Sequence, residues 1–341
     1  MKSSFALCSD DTLSHHCIGN LEEACNISTD HHVAGLAALD GSLEACLEDA
    51  LHDALELCID FFKEVNQMKK IRVGMLGCGS MGKYVIDAFE AGKVPNAEIA
   101  VVCVRTMQSK GVDRVHEAGI PLITDPAQLL DYDLDVVAEC ASQDSVIANG
   151  ERLLRAGISF IPMSLGALVD AELLESFKKA AEESGSKLIV PSGGIGALDA
   201  FQGAMIPGIE SVHMTTRKPP RAWKKIPYVE KMNLDLDNMT EPVLIFDGPA
   251  RDCVKELPQN INIAAALSLA TLGFDKTHIT IYADPNMIYN THTIETKGQT
   301  GKITITFENE PVPENPKTAY QACASLVATI KRFSESFRVG T

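Results

Sequence analysis

Residues Ile71–Gly82 read IRVGMLGCGSMG, and the reading of this stretch decides the fold. Ile71, Val73, Met75 and Leu76 predict a short buried strand, and the apolar spacing from Met81 to Glu90 predicts a helix. Between them Gly77, Gly79 and Gly82 supply G-x-G-x-x-G. The first glycine turns the chain sharply, the second lets backbone approach a pyrophosphate, and the third lets helix and strand pack closely. The N-terminus of the helix then faces the phosphates. The motif alone is a weak signal, and a glycine turn in another α/β protein is the competing reading. Here strand, glycines and helix come in the order a dinucleotide site requires. Gly77, Gly79, Ser80, Met81 and Gly82 are therefore assigned to cofactor binding.

Downstream the pattern repeats. Glu98–Arg105 predicts a second parallel strand, Pro121–Thr124 a short third, and Asp135–Cys140 a fourth. A fifth follows at Ser159–Met163 and another at Lys187–Val190, with helices over Val146–Ala156 and Ala171–Glu183. Strands alternating with helices over such a length indicate an α/β, Rossmann-type doubly wound parallel sheet, placed at residues 68–190. NAD-preferring sites usually carry an acid about 20 residues past the glycines, where it bonds the ribose 2′-OH. This chain has Arg105 there, followed by Ser109 and Lys110, which suits a 2′-phosphate and predicts that NADP is accepted at least as well as NAD. Ala141, just past the fourth strand, is expected to border the cofactor crevice.

The texture changes at Pro191. After a glycine-rich crossing, Pro191–Gly196, strands dominate: Ser211–Arg217, Val243–Asp247, Ile279–Ala283, Thr291–Thr296 and Lys302–Phe307. With one helix at Asn262–Thr271 among them, they predict a second, α+β mixed-sheet domain at 191–315. A final amphipathic helix, Lys317–Arg332, is expected to return to the cofactor domain.

Upstream lies a different kind of sequence. Residues 1–67 hold two lysines against thirteen Asp and Glu, a net of −11 out of −16 for all 341 residues. That acidity argues against nucleic acid or an anionic membrane as partner. Leu43, Leu47, Leu51, Ala54, Cys58, Phe61, Phe62 and Val65 share one face of a predicted helix. His15, His16, His31 and His32 with Cys8, Cys17 and Cys25 follow no zinc spacing, so no metal is assigned. Of ten cysteines, five fall in the first 58 residues without a CxxC pair, which fits a reducing cytoplasm. No leader pattern and no apolar run of about 18 residues is present. The segment reads as an acidic, partly helical extension dispensable for chemistry.

Taken together, Gly77–Gly82, Ser164–Ala167, Pro191–Ala197, Thr216–Pro219, Phe246–Gly248, Pro258–Ala264 and Asn290–His292 resemble the L-aspartate dehydrogenase family. The resemblance runs from about Met68 to the C-terminus and leaves the extension outside. It implies a Rossmann domain with a mixed-sheet domain, usually as a homodimer. It also implies oxidation of L-aspartate to iminoaspartate with NAD or NADP, the product then hydrolysing to oxaloacetate and ammonia or feeding quinolinate and NAD synthesis. By the same resemblance Gly194 and Asn262 contact the cofactor and His292 is the catalytic histidine, an acid/base expected to titrate near neutrality. Gly194 as a turn glycine and Asn262 as a helix cap are the plain alternatives. Arg217 and Lys218 are expected to supply cations for two substrate carboxylates. A homoserine-dehydrogenase-like or dihydrodipicolinate-reductase-like oxidoreductase would share the Rossmann start, and a non-enzymatic dinucleotide-sensing module is a third reading.

Overall fold

A computed structural model describes residues 70–257, 262–312, 315–337 and 339–340. The expectations for residues 1–67, the acidic helix among them, lie outside the described residues, as do Pro258–Ile261. The first sheet is built from β1 (Ile71–Leu76), β2 (Ala97–Cys103), β3 (Leu122–Ile123), β4 (Val136–Glu139) and β5 (Ser159–Pro162), all parallel, in the order β3-β2-β1-β4-β5. Val73, Met75, Val136, Val137, Phe160 and Ile161 are fully buried. Central parallel strands covered on both faces read as continuous apolar runs for this reason. The helices between them are α1 (Ser80–Glu90), α2 (Val112–Glu117), α3 (Gln143–Arg155) and α4 (Ala171–Ser184). From β1 the chain moves outward to β2 on one side and later returns to β4 on the other. That reversal opens a crevice at the C-terminal ends of β1 and β4.

Lys187–Val190 differs from its expectation. It touches the sheet through a single parallel bridge, Phe160 to Leu188, with Phe160 N–H donating to the Lys187 carbonyl and Ile189 N–H to the Phe160 carbonyl. Pro191 comes next and has no N–H to extend the pairing, so the segment departs toward the second domain.

That domain begins with α5 (Leu198–Met205) and the long β6 (Ile209–Lys218), followed by the short α6 (Pro227–Glu230). Next come β7 (Val243–Pro249), α7 (Ala250–Glu256), α8 (Asn262–Ala270), β8 (Thr277–Ala283), β9 (Asn290–Gly298) and β10 (Gly301–Asn309). The strands form a mixed sheet in the order β10-β9-β6-β8-β7, with β6 and β8 parallel and the other neighbours antiparallel. On β6, Val212, Met214, Thr216 and Lys218 are buried while the residues between them are not. One face is therefore turned to the core that holds Phe201, Trp223, Ala265 and Leu267. A two-stranded ribbon, β11 (Pro311–Val312) and β12 (Asn315–Ala319), leads into α9 (Tyr320–Ser334). Leu326, Val327 and Ile330 of α9 share a core with Val73, Met75 and Val85, so this last helix lies on the first sheet. No described helix is long and apolar enough to cross a membrane.

Candidate active site

The crevice side of the first sheet is made chiefly of backbone. Gly77 leaves β1 with φ +92°, and a Cβ there would stand 2.8 Å from the Cβ of Ala141. That turn requires glycine. At Gly79 a Cβ would meet nothing within 4 Å, so the backbone faces open space where a pyrophosphate could approach. Gly79 is also the N-cap of α1 and makes no side-chain cap bond, which leaves the first N–H groups of Ser80 and Met81 without a side-chain partner from the cap. A phosphate at this helix start would receive both those N–H groups and the positive end of the dipole. These residues fit a dinucleotide. Arg105 is exposed two residues beyond β2, with no acid at that position.

A buried carboxylate that sequence reasoning passed over holds the crevice together. Glu139, at the end of β4, is fully buried and accepts from Ala141 N–H (2.6 Å), Met163 N–H (3.1 Å), Ser164 N–H (3.0 Å) and the Ser164 hydroxyl (3.0 Å). Burial raises its pKa, and the bonds from Ser164 and Ala141 oppose that shift. It staples the loops after β4 and β5 to each other. An acid closing an apolar strand was the available signal.

The second sheet contributes side chains. Successive residues of a strand face opposite sides, and this alternation separates Arg217 from Lys218. Lys218 faces inward, buried, with its Nζ 5.3 Å from the Trp223 ring centroid. Arg217 faces the other side of the sheet, where its Nη1 donates to Asp284 Oδ2 at 3.0 Å and its guanidinium lies 4.4 Å from the Tyr282 ring centre. Arg217 and Lys218, expected to act together on substrate, are thus placed on opposite faces of β6.

His292 pairs with Thr216 across β9 and β6, and its Nδ1 lies 2.9 Å from the Thr216 hydroxyl. Thr216 is a second residue that sequence reasoning missed; its signal was its place two residues before Lys218 on the same face. His292, Lys218 and Asn290 line a cavity of about 120 Å³ together with Met81 of α1, Gly194 and Asn262. The cofactor motif and the second sheet thus meet at one small space.

Gly194 has a physical reason other than a turn: φ is positive at Gly193, whereas a Cβ on Gly194 would lie 2.8 Å from Ile263 Cδ1. Its carbonyl accepts from Asn309 Nδ2 at 2.6 Å, and Asn309 is a third missed residue. Asn262 opens α8, and its Oδ1 accepts from Gly166 N–H at 3.3 Å, beyond β5. That bond ties the second domain to a cofactor-side loop, which is more than a cap on its own helix.

Burial dominates the electrostatics. It lowers Lys218 to about 8, and it lowers His292, with the Lys218 charge adding to the effect, to about 3. Burial thus favours the neutral form of the His292 imidazole. Cys253, close to Lys218, is pushed up to about 12 by burial and stays a thiol. Among the described residues no group of His, Cys, Asp and Glu is arranged to hold a metal ion.

A parallel sheet with a glycine-cradled helix N-terminus, joined to a mixed sheet that presents a buried His and Lys, defines a two-domain NAD(P)-binding oxidoreductase. Comparisons agree half by half. Residues 77–191 match the family model described as homoserine dehydrogenase, NAD binding domain, and residues 199–333 match aspartate dehydrogenase, C-terminal. The L-aspartate dehydrogenase of Methanococcoides burtonii is 35% identical over 274 residues, 80% of this chain and 100% of that one. That of Methanosarcina mazei is 36% identical over 273 residues, and L-aspartate dehydrogenase 3 of Bordetella bronchiseptica 35% over 277. The crystal structure of aspartate dehydrogenase from Thermotoga maritima superposes with a TM-score of 0.61 at 23% identity, covering 79% of this chain and 99% of that one. The chain belongs to the L-aspartate dehydrogenase family.

Proposed function

We propose that this chain oxidises L-aspartate to iminoaspartate, His292 being the catalytic imidazole and Lys218 the cation that meets a substrate carboxylate. The observation that carries this reading is the single cavity where Met81, from the glycine-motif helix, faces His292 and Lys218. Bound NAD or NADP supplies a hydride acceptor there. Gly77, Gly79, Ser80, Met81, Gly82 and Ala141 would hold its phosphates and ribose, and Gly194 and Asn262 its nicotinamide end. Lys218 meets a substrate carboxylate from the wall of a small space lined also by Asn262, Asn290, Asn309 and Thr318. The neutral nitrogens of Asn290 and His292 remain to meet the second carboxylate, the role once expected of Arg217. Burial keeps competing water scarce and strengthens each of these polar contacts.

Arg105 makes NADP an accepted cofactor alongside NAD. The product hydrolyses to oxaloacetate and ammonia, or enters quinolinate and NAD synthesis, in the cytoplasm and in a homodimer. The domain limits are 68–190, 191–315 and 316–341, the last returning to the cofactor half. Reduction of NAD and of NADP is to be followed with a panel of amino acids that includes aspartate, glutamate, asparagine and homoserine. Turnover confined to aspartate is the expected result. Turnover of homoserine in its place defeats the reading, and tight dinucleotide binding without any turnover leaves a sensing module.

A further inference from the structure

His292 and Thr216 leave one proton to be placed. The Thr216 hydroxyl is buried, and among the described residues Nδ1 of His292 is its hydrogen-bond partner. A neutral imidazole carries its hydrogen on one nitrogen and accepts at the other. If Nδ1 held the hydrogen it would donate to Thr216, and the threonine's own O–H would be left buried without an acceptor. If Thr216 donates to Nδ1, both groups are satisfied, and the imidazole hydrogen stands on Nε2. A buried donor left unmade is the costlier state. Nε2 has no partner among the described residues, and His292 lines the cavity, so Nε2 is the nitrogen a ligand can address.

The same sheet register bears on what that ligand needs. Arg217 is turned away and paired with Asp284, so among the described residues lining the cavity a dicarboxylate meets its second anion's partners in neutral donors. An Nε2–H is such a donor, and an Nε2 lone pair would repel the carboxylate. Among the described residues, Lys218 is the other titratable side chain on the cavity wall.

We propose that Thr216 holds His292 as its Nε2–H tautomer, so that the imidazole meets the substrate as a neutral donor to a carboxylate oxygen and Lys218 takes the proton of the substrate ammonium. This rests on the aspartate reading and divides its proton chemistry between two residues. In the balanced step, R–NH3⁺ and the neutral Lys218 amine become R–NH2 and the Lys218 ammonium. The free amine's electron pair then forms C=NH2⁺ as hydride leaves Cα for the nicotinamide. The new ammonium remains beside the substrate carboxylates. Among the described residues, the titratable groups acting on the pair are each other and Cys253, which burial holds as a thiol. Lys218 lies low enough, at about 8, to be partly neutral at physiological pH. His292 is a positioned donor and Thr216 a positioning residue.

The test begins with the full-length protein, its histidines labelled with ¹⁵N and the His292 signal assigned by its loss in His292→Asn. The expected spectrum at neutral pH has hydrogen on Nε2 and none on Nδ1. Hydrogen on Nδ1 overturns the proposal whether or not aspartate is a substrate, which separates its failure from failure of the aspartate reading. In kinetics, Thr216→Val should lower kcat ~10- to 100-fold without changing the cofactor dissociation constant, and Thr216→Ser should recover most of that loss. For the parent, kcat/KM should rise with pH through about 8 with no step in the ordinary imidazole range. A step there that vanishes in His292→Gln, or a Thr216→Val enzyme with parental kcat, defeats the proposal.

Discussion

The two halves of the site are built by opposite means. On the first sheet the working surface is backbone: a glycine at positive φ, a second glycine facing open space, and an uncapped helix start. On the second sheet it is a set of buried side chains whose identity matters only because strand register turns them inward. Backbone recognition depends on local order, and a short motif carries it. Side-chain recognition depends on which of two faces a residue occupies, and that is decided by pairing partners far away in the chain. The difference implies that changes in the second sheet alter turnover while dinucleotide binding survives, and that neighbours on one strand behave as strangers.

The largest effect should come from His292. Replacing it with alanine removes the donor that meets the substrate carboxylate, and kcat should fall roughly 10²- to 10³-fold. The cofactor dissociation constant, measured by fluorescence of the reduced dinucleotide, should stay within about threefold of the parent on this backbone-held account. Cofactor binding lost in parallel with turnover would erase the proposed division between backbone and side-chain halves.

Adjacent residues of β6 sharpen the comparison further. Lys218→Met should lower kcat/KM on the order of 100-fold. Arg217→Ala should act on stability instead. Its partner Asp284, buried and bonded also to Asn286 N–H at 3.0 Å, loses an ion pair, so stability should drop ~1–3 kcal/mol. Kinetics with aspartate should hardly change. Measured side by side, a kinetic loss at Arg217 equal to that at Lys218 would contradict the assignment of faces.

The same contrast explains how much of the molecule could be read from sequence. The parallel sheet, its glycine loop and the second mixed sheet were legible because period-2 and period-3.6 patterns are local properties. Lys187–Val190 looked like a full strand by composition, yet pairing at an edge depends also on the neighbouring residue, and Pro191 ends it. His292 and Lys218 could be nominated by resemblance, but their electrostatics could not, because burial is a property of the folded core and not of the residue. Thr216, Glu139 and Asn309 were passed over for a related reason. Each acts through a contact far away in sequence: Thr216 with His292, Glu139 with Ser164, and Asn309 with the Gly194 carbonyl. The separation of Arg217 from Lys218 was not legible because an alternation has two phases, and only the pairing of β6 with β8 and β9 fixes which is inward.

On the cofactor side the contrast can be broken at the one place where a side chain is expected to discriminate. Arg105 stands exposed past β2, where its charge would meet a 2′-phosphate. Charge-assisted hydrogen bonds contribute about 1.5–3 kcal/mol, roughly tenfold to a hundredfold in affinity. Exposure to solvent places this site at the lower end. Arg105→Ala should therefore weaken NADP about tenfold and leave NAD unchanged. Equal losses for both dinucleotides would make Arg105 a general phosphate contact.

The smallest effect is expected behind the cavity, at Trp223. Its ring is fully buried beneath Lys218, and its indole Nε1–H finds no hydrogen-bond partner among the described residues. Two terms oppose each other in Trp223→Phe. Relief of an unsatisfied buried donor returns about 1–3 kcal/mol, and loss of packing around the missing ring atoms costs a comparable amount. The unfolding free energy should consequently change by less than about 1 kcal/mol, in contrast to a loss of about 3–5 kcal/mol for Trp223→Ala. Phenylalanine also keeps an aromatic face under the Lys218 amine, so kcat/KM should follow the parental pH dependence. Denaturant unfolding of the two variants decides the matter. A penalty in Trp223→Phe approaching that of the alanine variant would mean that the indole N–H is satisfied in solution. The wall behind Lys218 would then be polar, and the burial invoked for that lysine would be smaller than the fold implies.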